Sequence, residues 1–140
     1  MAEENHDREE EANRLVYLQN VYNQQYEALM NELTTFSMAQ AALKRNIQVL
    51  ESKDRMRGSN ILVNAEGGTY LEASVKGMGS VMTYVGAGYL VEKGVQEAKE
   101  FLTKNMDMGE GQMKRLVETR QKLENELMKI QYQLESMHEH

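Results

Sequence analysis

The sequence has no cysteine, no proline and no tryptophan, and its only phenylalanines are Phe36 and Phe101. Without cysteine there can be no disulfide, no thiolate nucleophile and no cysteine-based zinc site. Aromatics make up 6 % of the residues, too few bulky rings to fill the centre of an ordinary globule. Positive charge is also scarce: 16 Lys and Arg stand against 22 Asp and Glu, a formal net charge of −6. No basic stripe of the kind that tracks a nucleic-acid backbone is present, so no nucleic-acid partner is expected. The longest apolar run, residues 84–91 with its glycines and tyrosines counted, is far short of the roughly 20 residues that span a bilayer. The N-terminal stretch is acidic, unlike a basic-then-apolar leader. These absences describe a cytoplasmic chain of one domain, residues 1–140, with no membrane association.

Glycine is absent from two long stretches. All ten glycines lie between Gly58 and Gly111, leaving residues 1–57 and 112–140 without one. With proline missing as well, nothing in these flanks breaks a helix. Stepping alternately by four and three from Leu15 lands on Gln19, Tyr22, Tyr26, Leu29, Leu33, Phe36, Gln40, Leu43, Ile47 and Leu50. The second flank repeats the pattern through Leu102, Met106, Gly109, Met113, Leu116, Arg120, Leu123, Leu127, Ile130, Leu134 and Met137. Such a sustained spacing of 3.5 residues marks a coiled-coil seam, not a helix on a globule, which would need a third element to pack against. The spacing predicts helices over residues 11–54 and 95–138, each near 66 Å long at about 1.5 Å per residue. Equal lengths allow the two to pair antiparallel along their seams. The acidic run ahead of them (Glu3, Glu4, Asp7, Glu9, Glu10, Glu11) reads as a solvated, frayed terminus.

Between the helices, residues 58–94 change period. Ile61-Leu62-Val63 opens a short apolar run, and Asn64-Ala65-Glu66-Gly67-Gly68 is a turn cluster. In residues 69–76, Leu71, Ala73 and Val75 alternate with Tyr70, Glu72, Ser74 and Lys76, which is strand periodicity. Lys76-Gly77-Met78-Gly79 turns again, residues 80–85 are rich in β-branched side chains, Gly86-Ala87-Gly88 turns, and residues 89–92 follow. The expected fold is thus mainly α with a small β portion: a long antiparallel two-helix coiled coil joined by two β-hairpins. Two hairpins cannot close a sheet alone, and their free edges and apolar faces call for strands from other subunits. A plain coiled-coil tether, by contrast, would have no strands here.

Catalytic chemistry finds little support. Gly86-x-Gly88 is followed by Val91 where a dinucleotide fingerprint has its third glycine, no helix begins at that turn, and no Walker loop is present. His138-Glu139-His140 could touch a metal ion but lacks further ligands, and His6 stands alone in the acidic run. No Ser, His and carboxylate constellation is evident. No enzyme activity, cofactor or metal is expected. Gly109-Glu110-Gly111 falls inside the second helix, where each glycine disfavours helix by ~0.8–1 kcal/mol relative to Ala. It reads either as a hinge or as a weak spot without consequence.

The order helix, two hairpins, helix resembles the prefoldin family, in which alpha-class subunits carry two hairpins and beta-class subunits one. The most specific local match is residues 81–93, VMTYVGAGYLVEK, similar to the family's strand, Gly-Ala-Gly turn and strand leading into the second helix. Ile61-Leu62-Val63 followed by Gly67-Gly68 resembles the first hairpin, with Asn64 where alpha-class chains often have proline. The resemblance implies an ATP-independent chaperone subunit in a hexamer of two alpha and four beta subunits. In it the hairpins form an inter-subunit β-barrel, and the coiled-coil tips hold unfolded client proteins for delivery to a group II chaperonin. The compact chain looks archaeal. The alternative within the same architecture is a gamma-type relative that builds structural filaments or scaffolds.

On this reading Ile61, Val63, Leu71, Ala73, Val75, Val81, Val85, Gly86, Gly88 and Val91 serve subunit assembly. The client-binding tips draw on Leu15, Val16, Leu18 and Tyr22 of the first helix and Leu127, Met128, Ile130, Leu134 and Met137 of the second. Seam residues become available where terminal turns fray. Leu18 and Met128 fall off the seam and are expected to be exposed even in the intact pair. Methionine suits a surface that accepts many shapes.

Overall fold

The structure, a computed structural model, describes residues 2–77 and 79–138. Met78 of the second turn and two members of the C-terminal His-Glu-His trio, Glu139 and His140, lie outside the described residues. Helix α1 (Ala2–Glu51) is followed by a single turn, α2 (Lys53–Met56). Strands β1 (Asn60–Asn64), β2 (Tyr70–Ser74), β3 (Ser80–Gly86) and β4 (Tyr89–Gly94) come next, and α3 (Val95–His138) closes the chain.

Helix α1 begins nine residues before the expected start, so the acidic run is helical and not frayed. Glu3 and Glu4 occupy its first turn, where carboxylates meet the exposed N–H groups of the helix dipole. His6 and Glu10 pair at i,i+4 and Glu11 with Arg14 at i,i+3, adding the small increments such spacings give. The helix ends at Glu51, short of residue 54. Ser52 turns its hydroxyl back onto the Gln48 carbonyl at 2.9 Å, and its N–H is shared between the Gln48 and Val49 carbonyls. A serine that bonds its own backbone competes with helix propagation. Helix α3 runs unbroken through Gly109 and Gly111.

The chain divides into two compact units, each built from both long helices. One comprises Met1–Met38 with Glu110–His140, the other Ala39–Gly109. In the first, the helical unit, Leu15, Leu29, Leu33 and Ile130 are buried, all on the predicted seams. The Tyr26 hydroxyl donates to Glu124 Oε1 at 3.2 Å. Glu124 also faces the buried Nε of Arg120 at 3.6 Å, an ion pair too long to be a hydrogen bond. Arg8 Nη2 reaches the Met137 carbonyl at 3.5 Å. Low numbers of α1 meet high numbers of α3, so the two segments are antiparallel.

In the second, the hairpin-bearing unit, Leu50, Val95 and the fully enclosed Ala98 form the core, with Val81 and Leu102 packed against it. Lys99 pairs with Glu51 at 3.4 Å, and Gln40 Nε2 donates to the Met106 carbonyl at 2.9 Å. These contacts repeat the antiparallel order.

Each hairpin is an antiparallel two-stranded sheet of its own. Strands β1 and β2 pair Asn60 with Ser74, Ile61 with Ala73, Leu62 with Glu72, Val63 with Leu71 and Asn64 with Tyr70. The ladder extends past the strands, because Val75 N–H donates to the Ser59 carbonyl at 2.9 Å and Gly58 N–H to the Val75 carbonyl at 2.7 Å. Asn64 closes the turn locally: its Oδ1 accepts the Glu66 N–H at 2.9 Å, the Asx geometry that asparagine offers and proline cannot. Strands β3 and β4 pair Val81 with Lys93, Met82 with Glu92, Thr83 with Val91 and Tyr84 with Leu90, then shift so that Gly86 faces Tyr89. Val85 is the extra residue of that bulge. Ala87 and Gly88, the two loop residues, both have positive φ (53° and 82°), as a type I′ hairpin turn demands.

Candidate interaction surfaces

Pairing across the ladder places partnered residues on one face of a hairpin. In the first hairpin, Ile61, Val63, Leu71 and Ala73 therefore share a face made wholly of apolar side chains. The other carries Asn60, Leu62, Asn64, Tyr70, Glu72 and Ser74. Leu71 is 56 % exposed and Val63 44 %, and Val75 and Ala73 are half-buried. Much of this apolar face is open to solvent in the single chain. Burying it would be favourable by roughly 25 cal/mol per Å², and each strand still has one unpaired edge.

The second hairpin is two-sided. Val81, Thr83, Val91 and Lys93 share the face turned to the chain's own helices. Thr83 is buried, Val81 packs on the Leu50–Val95–Ala98 cluster, and the Lys93 ammonium lies 5.1 Å from the centroid of the Phe101 ring. Val81, expected on the assembly surface, thus serves the chain's own core. Val85 and Val91 remain exposed, while Gly86 and Gly88 shape the turn. The opposite face presents Met82, Tyr84 and Leu90, all exposed, which sequence reasoning did not single out. β3 is apolar on both faces, so alternation gave no sign of which side was inward. A groove of about 580 Å³ opens among Leu43, Val49, Val85, Leu90 and Phe101, an apolar recess beside the same strands.

In the helical unit the residues expected at the tips divide sharply. Leu15 and Ile130 are 3 % and 4 % exposed, because α1 extends beyond Leu15 and keeps covering the seam there. Tyr22, Leu127, Leu134 and Met137 are half-buried. Leu134 and Met137 line a shallow groove of about 260 Å³ with Asn5, Arg8, Glu9 and Ala12. Leu18, expected in the open, is half-buried as well. It directly precedes Gln19 of the seam, and a leucine flanking a seam covers its margin. Val16 and Met128 are exposed, at 45 % and 69 %. Tyr17 and Tyr132 are exposed too and were missed. Each sits two places past a buried seam residue, a signal the heptad already contained.

The Arg14 guanidinium, hydrogen-bonded to Glu11, holds that carboxyl below the usual carboxylate range, and Glu11 in turn raises the pKa of Arg14. Both lie at the protein surface. Among the described residues no group of His, Asp and Glu is placed to hold a metal ion, and no helix is long and apolar enough to cross a membrane.

Comparison with known proteins gives a consistent result. The sequence model of the family described as "Prefoldin subunit" matches residues 22–139. Among curated relatives, the prefoldin subunit alpha of Methanocorpusculum labreanum is 28 % identical over 131 residues, 93 % of this chain and 89 % of that protein. The prefoldin subunit alpha of Methanococcus vannielii is 31 % identical over 116 residues, 82 % of this chain and 77 % of that protein. Among solved structures, a chain of filamentous PFD from Methanocaldococcus jannaschii superposes with a TM-score of 0.55 at 23 % identity, covering 85 % of this chain and 93 % of that one. That likeness is one of fold.

Proposed function

The chain belongs to the prefoldin family, and on that premise we propose that it is the alpha-class subunit of an ATP-independent holdase, working in the cytoplasm. The observation that carries this reading is an inverted distribution of apolar surface. The helices enclose their seams, while the hairpins leave Ile61, Val63, Leu71, Met82, Tyr84 and Leu90 uncovered. A strand surface of that kind is completed by other subunits, here beta-class partners in a two-alpha, four-beta hexamer whose hairpins close into a barrel. The helices then stand as arms. Clients are unfolded proteins with exposed apolar segments, held at Val16, Met128 and the neighbouring half-buried Leu134 and Met137, and passed to a group II chaperonin.

Energetics explains why such a subunit would act in an oligomer. If one arm removes ~300 Å² of apolar surface from water, the gain is about 7–8 kcal/mol at ~25 cal/mol per Å². Association costs about 4–15 kcal/mol in lost freedom. One arm holds a client weakly; several on one hub make later contacts intramolecular and restore affinity while each contact stays releasable. No step in this scheme consumes a nucleotide.

The test is the double variant Val16→Ser, Met128→Ser in the assembled complex. Both side chains are exposed, so helicity and assembly are expected to be unchanged while suppression of client aggregation weakens several-fold. Full suppression by the assembled variant would remove these residues from the client site. The filament reading is separated by mass: a chain that forms long homopolymers and ignores a beta-class subunit is a scaffold, whereas one that resolves into a discrete hexamer with it is not.

A further inference from the structure

Each helical seam has two positions that break the apolar rule: Gln19 and Gln40 on α1, Gly109 and Arg120 on α3. The structure brings one irregularity from each helix together. Gly109 is buried, and a methyl group added at its Cα would overlap the Gln40 carboxamide, 2.6 Å from Cδ and 2.8 Å from Nε2. The same carboxamide donates to the Met106 carbonyl at 2.9 Å. Gly111, two residues on, has open space where its Cβ would be. The two glycines of the Gly-Glu-Gly segment therefore do different things.

We propose that Gln40 and Gly109 form a register key: the carboxamide seats in the notch left by the missing side chain and admits one alignment of α1 against α3. A polar residue in a seam stabilises only the register in which its hydrogen bonds are made. Slipping α3 by one heptad would set Gln40 against Leu102 or Leu116, the heptad equivalents of residue 109. The carboxamide would then meet a branched apolar side chain, have no notch, and lose the Met106 carbonyl. An apolar seam has no such preference, because leucine against leucine repeats every seven residues. On this reading glycine at 109 leaves the space that the carboxamide fills.

The inference is independent of what the arms bind, and it makes a prediction of sign. In the full-length chain, Gly109→Ala is expected to lower the thermal midpoint followed by circular dichroism at 222 nm, because the methyl ejects Gln40. In the Gln40→Ala background the same change is expected to raise it, since alanine favours helix over glycine and the notch is vacant. Gly111→Ala, with nothing to displace, is expected to raise the midpoint in both backgrounds. Hydrogen exchange across residues 106–114 should quicken in Gln40→Ala and not in Gly111→Ala. If Gly109→Ala shifts the midpoint equally in both backgrounds, in either direction, there is no key. Should Gly109→Ala fail to fold, the Gln40→Ala, Gly109→Ala double variant must recover the helical signal; a double variant that also fails overturns the proposal.

Discussion

Leu71→Asp tests the proposal that the apolar face of the first hairpin joins other subunits. Leu71 pairs with Val63 on the all-apolar face and is 56 % exposed in the single chain. Full burial of a leucine side chain contributes about 1.5–3 kcal/mol, so covering the exposed part adds about 1–1.5 kcal/mol to assembly. Aspartate forfeits that and sets a carboxylate among Ile61, Val63 and Ala73. The charge cost has a ceiling, because the group can protonate instead: moving a carboxyl of pKa about 3.9 to neutrality at pH 7 costs about 4 kcal/mol at 1.36 kcal/mol per unit. The total, about 5 kcal/mol per interface, weakens subunit affinity by some three to four orders of magnitude. Leu62→Asp is the control. Leu62 is more exposed, at 70 %, but lies on the opposite face against Glu72. If that face stays in water, the variant loses only the few tenths of a kcal/mol of a like-charge pair. Sedimentation velocity over a range of concentrations reads both, with circular dichroism confirming that the helices persist. Assembly of Leu71→Asp like the parent, or equal loss in Leu62→Asp, would refute the assignment of the apolar face to the interface.

Two further outcomes follow from local geometry. Ala87 holds a φ of 53°, a left-handed conformation that costs a side-chain-bearing residue about 1 kcal/mol or more. Ala87→Gly is therefore expected to raise the thermal midpoint by a few degrees, and a lower midpoint would contradict the turn assignment. The lowered pKa of Glu11 comes first from its hydrogen bond with Arg14. A depressed carboxyl pKa stabilises above the unfolded-state value, and the contribution is lost as pH falls through the folded value. The pair lies at the surface, so its effect on stability is small and carbon-detected NMR titration is the readout. Arg14→Gln should return Glu11 to the ordinary range, and an unmoved titration would disprove the pairing.

The seams were legible because a 3.5-residue repeat sustained over five heptads has one structural meaning, and a single glycine in it, Gly109, does not erase the pattern. Each residue of the two stepping series from Leu15 and Leu102 is buried or half-buried. The hairpins were legible from alternation and turn chemistry. Orientation was not. Val81, Met82, Thr83, Tyr84 and Val85 offer apolar groups to both sides, so only tertiary packing decides that Val81 and Thr83 turn inward. The start of α1 was hidden because six carboxylates resemble a solvated tail, although the same charges favour a helix N-terminus. The pairing of Gln40 with Gly109 could not be read from either helix alone. Each looks like a flaw until the register is known.

The distribution of buried surface has a thermodynamic consequence. No large side chain among the described residues is fully enclosed, and the buried apolar set is a thin line along the seams with one small cluster at Leu50, Val95 and Ala98. A chain of this size ordinarily offsets its conformational entropy with a three-dimensional core. In the proposed assembly that contribution comes from surfaces the single chain leaves open. Anything that binds the folded state shifts its stability by mass action. The thermal midpoint of the chain should therefore climb with protein concentration, and with added partner, more than the seams alone could account for. In the proposed assembly, solvent exposure of the hairpin faces is part of the folding energetics: the residues left open in the single chain would complete the fold against another subunit.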